Sequence, residues 1–364
     1  MKTTHTGSLP RPAGLHDLCD PAAVAAAVAE NVSQQRRAGI DYISDGEASK
    51  TGYATYVTER LTGFGGEPCA EPLRGFDEFP EFAARAFGDM ARAGLFANPS
   101  CNGPVSYVGR SRVNRDIANL VNAAGGADGT FMTAASPGVI ALFHPRNGCY
   151  ASDEEYLYAL AGAMKAEYDA ICAAGVVLQL DCPDLAAGWA MGPERSLAAF
   201  RAEVAMRLDV LNYATRDIPP EKLRMHLCWG NFEAPHTLDI PLAAIIDLVL
   251  SARPAALAFE AANPRHGQEW ELFEDLSLPE GKTLIPGVID TTTNFIEHPD
   301  LVAQRLRAFA RCVGAENVIA GTDCGFGTFA GWAPVDARIA WGKLAALVEG
   351  TRLVSKTRRS AAAA

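Results

Sequence analysis

The feature that most constrains this chain is a repeated alternation of short apolar runs with longer amphipathic ones. Strand-like runs fall at 40–44, 100–108, 129–134, 176–181, 223–228, 255–260, 283–289 and 317–321. Helix-like runs fall at 21–38, 153–174, 193–215, 241–252, 299–313 and 334–349. Runs of the first kind fit buried strands, and runs of the second kind carry apolar residues at helical spacing. Eight strands separated mostly by helices predict the α/β class and a closed (β/α)8 barrel of the TIM type. An open doubly wound sheet is the competing fold, but no Gly-x-Gly-x-x-Gly follows the first strand and no Gly-Lys-Ser/Thr loop occurs. The expectation is one barrel domain over 1–364. Residues 1–39 form an N-terminal arm and helix, and 48–100 an insertion after the first strand. In that insertion Gly63, Gly65, Gly66, Pro68, Pro72 and Pro80 interrupt aromatic positions, which reads as a hairpin plus a helix covering a pocket mouth.

A length of 364 residues suits such a barrel, and the 49% hydrophobic and 21% charged fractions indicate a packed core. The net charge of -11 argues against a nucleic-acid partner, which needs clustered Lys and Arg. Nine scattered cysteines make no framework of small-protein spacing and fit reduced thiols in a cytoplasm. No signal-like N-terminus and no membrane-length apolar run is present, so a cytoplasmic protein without a membrane partner is expected. Assembly of identical copies is compatible with the sequence.

In barrels of this kind the chemistry lies at the carboxyl ends of the strands. Those exits hold Asp45 and Glu47, Ser136, Asp181, His226 with Cys228, Glu260, Asp290, and Asp323 with Cys324. His226 and Cys228 stand two apart on an extended run and point to the same side, as a shared metal requires. Glu260 and Cys324 complete a His, two Cys and Glu set. Soft thiolates with an imidazole favour Zn²⁺. Two thiolates and a carboxylate overcompensate the ion, which suits it to holding a substrate thiol as thiolate rather than to activating water. A closed structural zinc or a storage site is the plainer alternative.

His226-Leu227-Cys228, Phe259-Glu260 and Asp323-Cys324-Gly325 resemble the zinc-ligand motifs of the cobalamin-independent methionine synthase family. Gly287-Val288-Ile289-Asp290 and Gln179-Leu180-Asp181 match other strand ends of that family in order, and the likeness runs from His5-Thr6-Gly7-Ser8 to the final helix, covering the catalytic barrel only. His226 to Asn231, with Pro235-His236 and Asp239-Ile240-Pro241, is more similar to the short epoxyalkane:coenzyme M transferase branch. The chain departs from the long synthase in having Thr291-Thr292-Thr293 where that enzyme has a His after its Asp, and Cys182 where it has Glu.

The resemblance implies zinc-dependent alkylation of a small thiol by a small electrophile, with epoxide opening by coenzyme M or a similar thiol as the first reading. Methyl transfer to homocysteine or another thiol is the second, and a metal-free decarboxylase of the same barrel superfamily the third. His5 and His236 are the candidate proton donors and Asp290 a further catalytic group. Glu47, Asp181, Trp229, Asn231 and Arg265 are the candidate substrate contacts, with Arg11 and Lys50 as further cations near the exits. Trp270 and Trp332 are candidate pocket walls.

Overall fold

A computed structural model describes residues 1–15, 17–68, 74–92, 98–146 and 148–362. Five parallel strands form its main sheet in sequence order: β4 (Phe131–Ala135), β5 (Val177–Asp181), β6 (Leu223–Leu227), β7 (Ala256–Phe259) and β8 (Thr283–Pro286). Three further segments close the ring. β8 meets β9 (Ile319–Ala320) through parallel bridges Leu284 to Val318 and Gly287 to Gly321. Next, β9 pairs in parallel with β1 (Lys2–Thr3), and Tyr42 N–H donates to the Thr3 carbonyl at 3.0 Å. Ile43 bridges Thr130, returning the ladder to the edge of β4. The result is an eight-stranded parallel (β/α)8 barrel. Its strands are buried on both faces, as a sheet wrapped by helices demands.

The barrel is as expected, but its membership differs from the sequence reading in two ways. The expected N-terminal arm opens inside the ring as β1, so the insertion follows the second strand. Segment 100–108 is not a barrel strand. β3 (Pro99–Cys101) instead pairs antiparallel with β2 (Phe64–Pro68), outside the ring. α2 (Pro80–Arg92) lies between these two strands, so the segment holds an antiparallel pair spanning a helix rather than the expected hairpin followed by a helix.

The outer layer comprises α1 (Pro21–Ala38), α3 (Arg110–Ala124), α4 (Pro137–Phe143), α5 (Asp153–Ala173), α6 (Leu197–Ala214), α7 (Ile246–Ser251), α8 (Leu272–Asp275), α9 (Pro299–Val313) and α10 (Ala337–Ala362). Their ends follow local chemistry. Asp20, Ser136, Ser152 and Ser196 accept from free first-turn N–H groups, and Pro opens α1, α4 and α9. α6 therefore starts at Leu197 rather than at Pro193, because Ser196 supplies the cap. The sequence reading missed α3, although Val113, Ile117 and Leu120 are buried at helical spacing.

A buried ionic cluster fixes the insertion and α3 to α5. Arg60 pairs with Asp116 at 2.5 Å and Glu167 at 3.0 Å, while the Tyr56 and Tyr107 hydroxyls donate to Glu167 at 2.7 and 2.6 Å. Burial alone would raise Glu167, yet Arg60, Tyr107, Lys50 and Tyr56 outweigh it and hold its pKa below the ordinary value.

At the barrel mouth the backbone of Gly7 passes close to Glu47, at the exit of the second strand, and to Thr133 of β4. A Cβ there would stand 2.6 Å from Glu47 Oε1 and 2.7 Å from Thr133 Cγ2. Gly7→Ala is therefore expected to lower unfolding free energy by about 1–3 kcal/mol, the usual cost of overpacking. Urea unfolding checks this, and wild-type stability in the variant would contradict the close approach.

Candidate metal centre

His226, Cys228 and Cys324 come together at the mouth, their ligand atoms all within 4.8 Å of one another. β6 supplies His226 and its exit Cys228, and the exit of β9 supplies Cys324. The two sulfurs stand 4.0 Å apart, against about 3.8 Å for two sulfurs on one tetrahedral zinc. Gly230 N–H donates to the Cys228 sulfur at 3.3 Å, a contact that favours a thiolate. Among the described residues, neither buried ring nitrogen of His226 makes a hydrogen bond of normal geometry, and only the Ala258 backbone lies near enough to favour a charged ring. Burial first, and Arg224 second, push its pKa down to about 3, so the ring is neutral with a lone pair to give. Cys324 and burial push the Cys228 thiol up. Two soft sulfurs and an orphaned neutral imidazole, crowded without a cation, are the donor set zinc takes, so these residues fit the metal.

Glu260 lies beside this trio but outside the 4.8 Å group. Its Oε1 accepts from Trp229 N–H at 2.8 Å and its Oε2 from Asn263 Nδ2 at 2.7 Å. Burial, then Cys228, raises its pKa well above the carboxylate range. Asp323 accepts from the Ala261, Ala262 and Asn263 amides at 2.8–2.9 Å, tying the exit of β9 to that of β7.

Asp181 pairs in register with His226 on the neighbouring strand. Its pKa is pushed up to about 8 by burial and then by Glu47. Glu47 Oε1 accepts from Thr133 Oγ1 at 2.8 Å, whereas Oε2 is buried without a partner among the described residues. Glu47 also adopts φ 58, a left-handed conformation that costs a non-glycine residue about 1–3 kcal/mol and collects at functional sites. Lys50 donates nearby to Thr133 O at 2.7 Å and Oγ1 at 2.8 Å.

The remaining candidates occupy varied places. Asn231 ties three exits, donating to Gly325 O and Thr328 Oγ1 and accepting from Thr291. Asp290 accepts from Thr292 and Thr293 and is 8% exposed. His5 points to α1, with Nε2 2.8 Å from Gln35 Oε1, its ring edge-on to Phe131, and its pKa lowered by burial to about 4. His236, at φ 51, faces Asp239 Oδ2 at 2.9 Å and Phe232 O at 3.0 Å. Arg265 is exposed, its guanidinium on Thr237 O. Arg11 donates to the Gly327 and Lys50 carbonyls. Trp229, a candidate substrate contact, is 3% exposed and packs against His266. Trp270 lies under Arg311, and Trp332 meets Phe329.

The sequence reading missed two groups near the trio. Tyr53, in the insertion, has its phenol pKa raised by burial and then by Cys228, Cys324 and Asp181. His266 bonds Asp239 Oδ2 at 3.0 Å and Glu269 Oε2 at 3.2 Å. Burial opposes its charge, but those two carboxylates prevail and hold its pKa up to about 10. No sequence spacing flags it, because the Asp239 that completes its pairing lies 27 residues away.

The chain is a (β/α)8 barrel with a His-x-Cys at one strand exit and a Cys at another, and its relatives share one family. The family described as "Cobalamin-independent synthase, Catalytic domain" matches residues 143–341, more than half of the chain, and the protein belongs to that family. It is 26% identical to 2-hydroxypropyl-CoM lyase of Xanthobacter autotrophicus, over 90% of this chain and 84% of that enzyme. It is 24% identical to methionine synthase of Saccharolobus solfataricus, over 87% of this chain and 80% of that one. In fold it resembles a B12-independent methionine synthase from Shewanella sp. W3-18-1, with a TM-score of 0.75, 22% identity and 98% of each chain covered. Among the described residues no helix is long and apolar enough to cross a membrane.

Proposed function

We propose that the protein transfers an alkyl group to the sulfur of a small thiol, at a zinc held by His226, Cys228 and Cys324 with Glu260 beside them. The observation that carries this reading is the buried, unpartnered imidazole of His226 facing two sulfurs 4.0 Å apart. When bound, zinc supplies a soft Lewis acid that keeps a thiol deprotonated near neutral pH. The chain's own residues supply orientation. Asn231 and Asp323 lock the exits of β6, β7 and β9 together, and Gly230 N–H steadies the Cys228 sulfur.

In epoxide opening a carbon–sulfur bond forms, a ring carbon–oxygen bond breaks, and the oxygen takes up a proton. In methyl transfer the bond that breaks joins the methyl group to its carrier. The similarity to 2-hydroxypropyl-CoM lyase supports the first and that to methionine synthases the second. On the thiol the lining speaks more clearly. Of the cations near the exits, Lys50 and Arg265 are bonded to protein oxygens, and Arg11 donates to two carbonyls while its buried Nε has no partner among the described residues. Glu47 Oε2 is buried with no donor among the described residues, next to Asp181. This favours a thiol carrying an ammonium group over an anionic one.

Zinc content per chain is measured first. Homocysteine, coenzyme M and glutathione are then each paired with methyl donors and with small epoxides. Metal-free protein that retains full thiol alkylation would overturn the proposal. Glu47→Gln is expected to raise KM for an amino thiol roughly 10–100-fold with kcat little changed, because a charged hydrogen bond contributes about 1.5–3 kcal/mol. An unchanged KM in steady-state kinetics would remove the ammonium reading.

A further inference from the structure

His266 is buried, lies outside the metal trio, and neither the fold nor the proposed chemistry yet uses it. Both its ring nitrogens face carboxylate oxygens, Asp239 Oδ2 at 3.0 Å and Glu269 Oε2 at 3.2 Å. Ionised carboxylates only accept hydrogen bonds, so the ring donates from both nitrogens and carries a positive charge. Its side chain is 3% exposed, which makes the charge costly unless paired as it is here. The ring lies on the Trp229 indole with centroids 4.2 Å apart and planes 31° from parallel, a cation against an aromatic face.

Every partner in this cluster belongs to a segment that frames the metal centre. Trp229 follows Cys228 directly, its N–H donates to Glu260 Oε1 at 2.8 Å, and its indole N–H donates to Ile240 O at 2.7 Å. Asp239 Oδ2 is shared with His236 Nδ1 at 2.9 Å. Glu269 Oε1 accepts from Leu242 N–H at 2.8 Å. The loop after β7 and the long segment after β6 therefore meet on one imidazolium.

We propose that His266 is a positioning residue for the metal centre. As a buried imidazolium under Trp229, it clamps segment 229–242 to the loop after β7 and so holds the Trp229 amide on Glu260 beside Cys228. This rests on the zinc reading above. Outer partners of a metal site act by fixing the inner ones, and their loss commonly costs 10–100-fold in metal affinity.

The test compares wild type with His266→Gln, which keeps the polarity and removes the charge. Zinc affinity is measured by competition with a chromogenic chelator, and indole emission on the metal-free protein. The dissociation constant for zinc is expected to rise roughly 10–100-fold. Indole emission is expected to brighten, because an imidazolium quenches a stacked indole and an amide does not. That brightening should vanish when the same change is made in a Trp229→Phe background. A filler of space with no positioning role would lower the melting temperature and leave zinc affinity unmoved, so a folded His266→Gln protein with wild-type affinity overturns the proposal. If His266→Gln does not fold, Asp239→Asn takes its place; it should move both readings in the same directions, and unchanged readings count equally against the proposal. Wild-type protein that takes up no zinc would sink the alkyl-transfer reading instead, and the emission comparison alone would then decide whether His266 is the charged clamp.

Discussion

Replacing His226 with alanine is expected to weaken zinc binding by roughly 100-fold or more and to remove thiol alkylation with it. Structural zinc sites bind with about 10–16 kcal/mol shared among four ligands, so one ligand carries about 3 kcal/mol. Cys324→Ala should behave the same way, since its sulfur lies 4.0 Å from that of Cys228 on a different strand exit. Dialysis against a chelator followed by metal analysis reads the first effect, and turnover of the best thiol and electrophile pair reads the second. The two should fall together. Activity surviving in a zinc-free His226→Ala, Cys324→Ala protein would refute the assignment. Wild-type zinc affinity should also drop as pH falls, because burial and Cys324 raise the Cys228 thiol and protons then compete for its sulfur.

The second large effect concerns the ionic cluster beneath the insertion. Glu167→Ala leaves Arg60 buried with only one of its two carboxylates, Asp116, and removes the acceptor of the Tyr56 and Tyr107 hydroxyls. Breaking a buried pair from one side costs about 3–5 kcal/mol, against about 0–1 kcal/mol for a surface pair such as Lys2 with Asp41. Urea unfolding of Glu167→Ala and Lys2→Ala should separate the two by that margin. The contribution of Glu167 also has a pH sign. Its folded pKa lies below the ordinary value of 4.5, so the stabilisation is fully present above that value and is lost as pH falls through the folded pKa. A Glu167→Ala protein as stable as wild type would mean that Arg60 is satisfied by Asp116 alone.

Much of this architecture is visible in the residues. Apolar runs that end in His226-Leu227-Cys228, Phe259-Glu260 and Asp323-Cys324 mark both the strands and the exits, because a parallel barrel strand is buried on both faces and its first polar residue is where it leaves the wall. β1 escapes notice because two residues cannot display a periodicity, and it is defined wholly by its partners at 319–320. Segment 100–108 misleads for the opposite reason. Its residues suit a strand, but strand propensity does not say which sheet will take it, and Gly63 with its neighbours offers a nearer edge. Tyr53 and His266 have no local signature. Each owes its environment to segments that only the closed ring brings near, so no window of sequence around them carries the signal.

The ring also closes between its first and last members, β1 and β9, more than three hundred residues apart along the chain. Contacts of such separation form late, because the intervening chain must first be drawn in. Cys324 stands four residues beyond the end of β9, so the donors of the proposed zinc are not all assembled until that seam has zipped. On that proposal, uptake of the ion would report completion of the barrel, and chains stalled before the seam would be both open-sided and unable to load.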